Sequence, residues 1–165
     1  MMLAKPDESK IRDTVAEAKH RLRSDVTRNA LVYWLDNRGE RIWPSWKDFD
    51  PASVKTLLPN LAVLAVQRQP LDFVYRLTGT EVDARLGGKL KGQAVADLPY
   101  QRSPSAYWHT LRATAETGLP QTAFITYANQ RGDFRPCEAI GLPYSTNGQS
   151  IDRVIMAFDF EPDRT

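Results

Sequence analysis

Residues 72–88 read DFVYRLTGTEVDARLGG. Phe73, Tyr75 and Leu77 alternate with Val74, Arg76 and Thr78, the period-two pattern of a half-buried strand. The line continues as Glu81, Val82, Asp83, Ala84, Arg85 and Leu86, a short helical turn that Gly87-Gly88 closes. A strand running straight into a short helix is therefore the unit around which the chain is organised. No nucleophile-base pair and no metal-ligand spacing lies near it.

Upstream of this unit, Leu61 to Val66 forms an apolar run of strand length, and Gln69-Pro70-Leu71-Asp72 turns it into the strand just described. Before that, Asp50-Pro51 combines a helix cap with a first-turn proline and opens a short helix through Val54, Leu57 and Leu58, which Pro59 ends. Ile42, Trp43, Pro44, Ser45 and Trp46 make an aromatic segment barred from regular helix by its proline and pinned to the core by its rings.

The first 40 residues are helical in pattern. Ile11, Val15, Ala18 and Leu22 recur at spacings of four, three and four on a segment otherwise rich in charge, a stripe too thin for a core helix. Ser24-Asp25 either caps a second helix, Val26 to about Asp36, or lies inside one long helix. The face of Val26, Ala30, Leu31, Tyr33 and Trp34 is richer, and Asn37-Arg38-Gly39 is a stop. The charged first part reads as projecting or partner-bound, with a solvated helix packed along its own domain as the alternative, and the second part as docked on the core. Met1 to Asp7 reads as frayed.

Downstream, Lys89 to Leu98 offers another short helix. Ser103-Pro104 sets up the longest helix of the core, which Gly118 stops. On a wheel of about 100° per residue, Tyr107, Trp108, Leu111 and Ala115 share a face that covers a sheet. Three strands follow: Gln121 to Ala128, Arg135 to Tyr144 and Ile151 to Phe160. Their turns, Asn129 to Asp133 and Ser145 to Gly148, are short enough to make neighbours antiparallel. The sum is an α+β fold with a five-stranded antiparallel sheet, helices on one face and an N-terminal helical extension.

At 165 residues and 42% hydrophobic, the chain suffices for one core plus an appended helix. The division expected is an extension over 1–30, a domain over 31–160 and a tail over 161–165. With 22 basic and 20 acidic residues, the surface is mixed in sign and no nucleic-acid footprint is expected. No apolar run reaches a signal peptide's core or a membrane span, so a soluble, cytoplasmic protein is expected. Cys137, the single cysteine, excludes an internal disulfide and reads as a small buried thiol. One Cys and two His are too few for a structural zinc site.

The order of elements, together with Tyr33-Trp34, Pro44-Ser45, Asp50-Pro51, Leu58-Pro59, Arg76-Leu77-Thr78-Gly79-Thr80, Leu86-Gly87 and Lys91-Gly92, resembles the PAS domain superfamily. Within it, the match is to small, largely uncharacterised single-domain PAS proteins of alphaproteobacterial type, over roughly Leu31 to Phe160. The resemblance implies a sheet facing a cavity under the helices, used by relatives to hold a cofactor or small metabolite, or to dimerise. Two chemistries of the superfamily are disfavoured. Covalent flavin photochemistry needs a Cys on a helix between the second and third strands, and none occurs from Thr80 to Gly118. Haem sensing needs an inward His, whereas His109 lies about 155° from the centre of the apolar helix face and faces solvent beside Arg112 and Glu116. No cofactor is expected, and an unidentified metabolite stays open.

Candidate ligand-binding residues are Tyr75, Arg76, Trp108, Leu111 and Tyr127. The three aromatics either line a pocket or fill the core. Arg76 either points away from the core into a structural ion pair or, with register shifted by one, enters the cavity to anchor an anion. Arg135 and Glu138 carry the same ambiguity on the fourth strand. No catalytic or metal site is expected. The reading is a non-catalytic sensory or protein-interaction module of bacterial signalling, its output passing through a partner or a dimer formed by the Ile11, Val15, Ala18 and Leu22 stripe. The alternatives are a sensor with an occupied cavity and, from another class, a small-molecule enzyme of the cone-shaped NTF2-like type, against which the mostly apolar inward positions speak.

Overall fold

A computed structural model describes residues 5–162; the expected frayed start and tail fall partly outside them. Four helices and five strands follow in chain order: α1 (Glu8–Arg21), α2 (Asp25–Arg38), β1 (Leu61–Gln67), β2 (Asp72–Thr78), α3 (Thr80–Leu86), α4 (Ala106–Thr117), β3 (Gln121–Ala128), β4 (Phe134–Tyr144) and β5 (Arg153–Asp159). The strands form one antiparallel sheet in the order β2-β1-β5-β4-β3. Helix α4 packs over β3, β4 and β5, and α2 also packs on β4 and β5. Trp108 of α4 meets Phe73 edge-on at 5.4 Å, while Trp34 of α2 donates its indole N–H to the Pro143 carbonyl at 2.8 Å.

The N-terminal segment is two helices, and its geometry departs from the expectation of a projecting stripe. Ile11, Val15, Ala18 and Leu22 are 0%, 7%, 3% and 0% exposed within the single chain. A helix that packs along β3 and is tied to α2 through Glu8 and Arg38 needs one narrow apolar stripe, and burying four such side chains contributes on the order of several kcal/mol. The stripe is thus covered within its own chain, as a helix packed along its own domain, rather than projecting. At its start, Asp7 caps Lys10 N at 2.8 Å, and Glu8 accepts two hydrogen bonds from the buried Arg38 of α2, at 2.8 and 3.2 Å.

Glu138 of β4 makes the break between α1 and α2. Its carboxylate, fully buried, accepts from Arg23 N at 2.9 Å, Ser24 N at 2.8 Å and Thr27 Oγ1 at 2.6 Å. An unpaired buried charge is costly, but three donors at the positive end of α2 satisfy it. Leu22 and Ser24 are held extended, and Ser24 caps α2 by accepting from Val26 N at 3.0 Å. Arg135 stays exposed at the start of the same strand.

Two glycines are required by close approach. A Cβ at Gly79 would fall within the backbone of Leu58 and Pro59, which explains the glycine of the Leu-Thr-Gly-Thr word. Gly118 adopts φ +67°, and a Cβ there would lie 2.7 Å from the Trp43 ring, whose N–H bonds the Gly118 carbonyl at 2.8 Å. This contact fixes the aromatic segment as expected. Other boundaries differ. Asp50-Pro51 opens a four-residue 3-10 turn, and Pro59 lies within a second such turn. The cap of α4 is Ser105, whose hydroxyl accepts from Trp108 N at 3.0 Å, so Ser103-Pro104 belongs to the preceding turn.

Candidate functional site

A cavity of about 250 Å³ lies between the sheet and the segments around α3 and α4. Its floor is Ile125 and Tyr127 of β3, Cys137 of β4, and Phe158 and Phe160 at the end of β5. These alternate inward because partners in an antiparallel pair share a face: Ile125 pairs with Cys137, and Ala139, two residues on, pairs with Phe158. Leu86 and Gly87 close one side, Leu98 to Gln101 another, and Tyr107 of α4 the roof. Tyr100, exposed, stands at the mouth.

Every residue lining this space is uncharged. Arg85, outside the lining, bonds Glu161 at 2.9 Å, approaches Glu81 at 3.4 Å, stacks 5.9 Å over Phe160 and reaches the hydroxyl of the lining residue Tyr127 at 3.5 Å. Two carboxylates thus compensate the charge of Arg85 outside the lining.

Among the polar groups of the lining, which include Thr126, Tyr127 and Asn129, Gln101 and Tyr107 belong to one hydrogen-bonded chain. Tyr75 Oη donates to Gln101 Oε1 at 2.6 Å and lies 2.8 Å from Tyr107 Oη. A phenol has one proton, so with that of Tyr75 given to Gln101 the proton between the rings comes from Tyr107. Burial raises the pKa of Tyr75, with the bonds to Tyr107 and Gln101 opposing it. Burial likewise raises Tyr107, with the Tyr75 phenol adding to the effect. The Cys137 thiol is pushed up by burial first, then by the charges of Asp159 and Glu138. All three stay neutral near pH 7, which leaves the site without a thiolate or phenolate.

The sequence candidates separate in space. Tyr127 lines the cavity, and Tyr75 stands behind Tyr107 as the middle of the chain. Trp108 and Leu111 do not line it: Trp108 packs on Phe73, and Leu111 is 0% exposed in the core. Arg76 is corrected on both readings. Val63 pairs with Leu77 and Leu64 with Tyr75, so Arg76 is the extra residue of a β-bulge on an edge strand. It is exposed, and it has no ion pair among the described residues, because α2 packs on β4 and β5 rather than on β2. His109 is exposed, and Arg112 pairs with Glu116 at 3.0 Å as expected. Gln101, Tyr107, Phe158 and Phe160 were not among the candidates. The two phenylalanines carried a usable signal in their i, i+2 spacing at the end of a strand; Gln101 carried none.

A family model described as a PAS domain matches residues 22–157. The chain belongs to the PAS domain family. PAS domains are generally sensory, non-enzymatic modules. No curated protein matches. Among solved structures, the chain is similar to a sensory box histidine kinase/response regulator from Burkholderia thailandensis, at 12% identity and TM-score 0.44, covering 70% of this chain and 87% of that one. It is also similar to a fungal LOV domain photoreceptor, at 12% identity and TM-score 0.44, covering 70% and 94%. Among the described residues of this PAS domain, no helix is long and apolar enough to cross a membrane.

Proposed function

We propose that the chain is a non-catalytic sensory module that takes a small, neutral, largely apolar molecule into the cavity beneath α3 and α4. The observation that carries this reading is the cavity itself: an apolar, uncharged lining with one hydrogen-bonded polar chain at its wall is the arrangement of a small-molecule site. An apolar cavity of about 150 Å³ accepts benzene, so about 250 Å³ has room for one or two rings. The burial of the α1 stripe favours this reading over an interaction module built on that helix. The neutral Cys137, Tyr75 and Tyr107 support binding rather than catalysis. Neither haem nor a covalently bound flavin belongs to the proposal, since His109 is solvent-facing and the Cys137 thiol is held protonated. A soluble, cytoplasmic protein that reports to a protein partner completes it.

Native mass spectrometry of the purified chain, with an absorbance spectrum, tests the proposal. A bound neutral species of one or two rings is expected. A chain that carries nothing and fails to take up neutral aromatic compounds at millimolar concentration refutes it.

A further inference from the structure

The polar chain constrains what the ligand carries, given that the cavity is a ligand site as proposed above. With Tyr107 donating to Tyr75 and Tyr75 donating to Gln101 Oε1, two groups at the cavity wall keep unused capacity. Gln101 Nε2 makes no hydrogen bond among the described residues and has two N–H donors. Tyr107 Oη has spent its proton and keeps a lone pair. Gln101 Oε1 and Tyr107 Oη bond the same phenol, at 2.6 and 2.8 Å, and Nε2 shares its amide carbon with Oε1, so the free donor and the free acceptor are separated by no more than those two bonds plus the width of one amide.

From this we infer that the ligand is an amide-like ring compound, a lactam or aromatic carboxamide, whose carbonyl accepts from Gln101 Nε2 while its N–H donates to Tyr107 Oη. A cis amide presents its acceptor and donor side by side, which suits a donor and an acceptor held on two groups that are linked through one phenol. Reversing every bond of the chain leaves the same pair with roles exchanged: Gln101 then accepts and Tyr107 donates. An amide satisfies either direction, whereas a ketone or a carboxylate only accepts and leaves the other group unpaired. A carboxylate would in addition be desolvated among uncharged lining residues, with Arg85 already engaged by Glu161 and Glu81.

Three shape-matched bicyclic probes separate the possibilities: quinolinone as the lactam, naphthalene as the hydrocarbon and naphthoate as the anion. Their affinities for the full chain are measured by calorimetry or ligand-observed NMR. Quinolinone is expected to bind about tenfold tighter than naphthalene, the size of one to two net hydrogen bonds, with naphthoate weakest. Gln101→Leu should reduce that ratio to about threefold or less while naphthalene still binds, which also shows that the variant is folded. Tyr107→Phe gives the same reading from the other end of the chain. Equal binding of quinolinone and naphthalene, or tightest binding of naphthoate, overturns the ligand class but leaves the cavity a binding site. Binding of none of the three overturns both.

Discussion

Replacing Glu138 by glutamine removes a buried charge whose whole function in this structure is to hold the turn between α1 and α2. The carboxylate accepts three hydrogen bonds, two from backbone N–H groups and one from Thr27. Bonds to a charged acceptor contribute about 1.5–3 kcal/mol each. Glutamine keeps one oxygen and points an NH2 group at donors, so at least one bond is lost and a donor is left buried and unpaired. The expected loss is about 3 kcal/mol, in the range for breaking a buried, satisfied charge. For a domain of this length that corresponds to a fall in Tm of about 6–12 °C. Urea unfolding followed by circular dichroism reads it directly, with the midpoint falling and the slope unchanged. Thr27→Val should cost about 1 kcal/mol, and Glu17→Gln, at an exposed ion pair, nearly nothing. A loss below about 1 kcal/mol for Glu138→Gln would refute the reasoning, since it would mean that water can replace the carboxylate and that the junction is open.

Three further outcomes follow from the packing. Ile11→Ala should destabilise by about 2–4 kcal/mol, because Ile11 is 0% exposed; in a projecting helix the same change would be nearly silent in urea unfolding. Gly118→Ala should cost about 1–3 kcal/mol by overpacking, since the new Cβ meets the Trp43 ring at a positive φ; Trp fluorescence during unfolding measures it. Glu8 should titrate below its ordinary 4.5, chiefly through the hydrogen bonds from Arg38. Its folded pKa is lowered, so the tie between α1 and α2 is complete above the unfolded value and is lost as pH falls through the folded one. NMR titration that places Glu8 at or above 4.5 would contradict that tie.

Much of the architecture is legible in local signals. The alternation of Phe73, Tyr75 and Leu77, the stop after Leu86 and the wheel of Tyr107, Trp108, Leu111 and Ala115 recur in the structure, because each depends on residues close in sequence; of the two readings open at Ser24-Asp25, the structure has the cap of a second helix. What eludes such reading depends on distant partners. The stripe of Ile11, Val15, Ala18 and Leu22 looks too thin for a core helix only until β3 and α2 are beside it. Glu138 stays ambiguous between the two faces of its strand until the backbone of Arg23 and Ser24, more than a hundred residues away, closes on it. Arg76 defeats a register argument because a bulge breaks the period at that residue. Gln101 sits in an irregular segment, and its bond to Tyr75 spans a loop and a strand with no pattern to announce it.

The most direct test of the cavity as a ligand site is an NMR titration of the full chain with quinolinone, following amide and side-chain signals. The account predicts saturable shifts centred on Gln101, Tyr107, Tyr127, Cys137 and Phe158, with Arg76, Trp108 and Leu111 moving less. No saturable shift, or shifts confined to the exposed surface of α1 and β2, would contradict it.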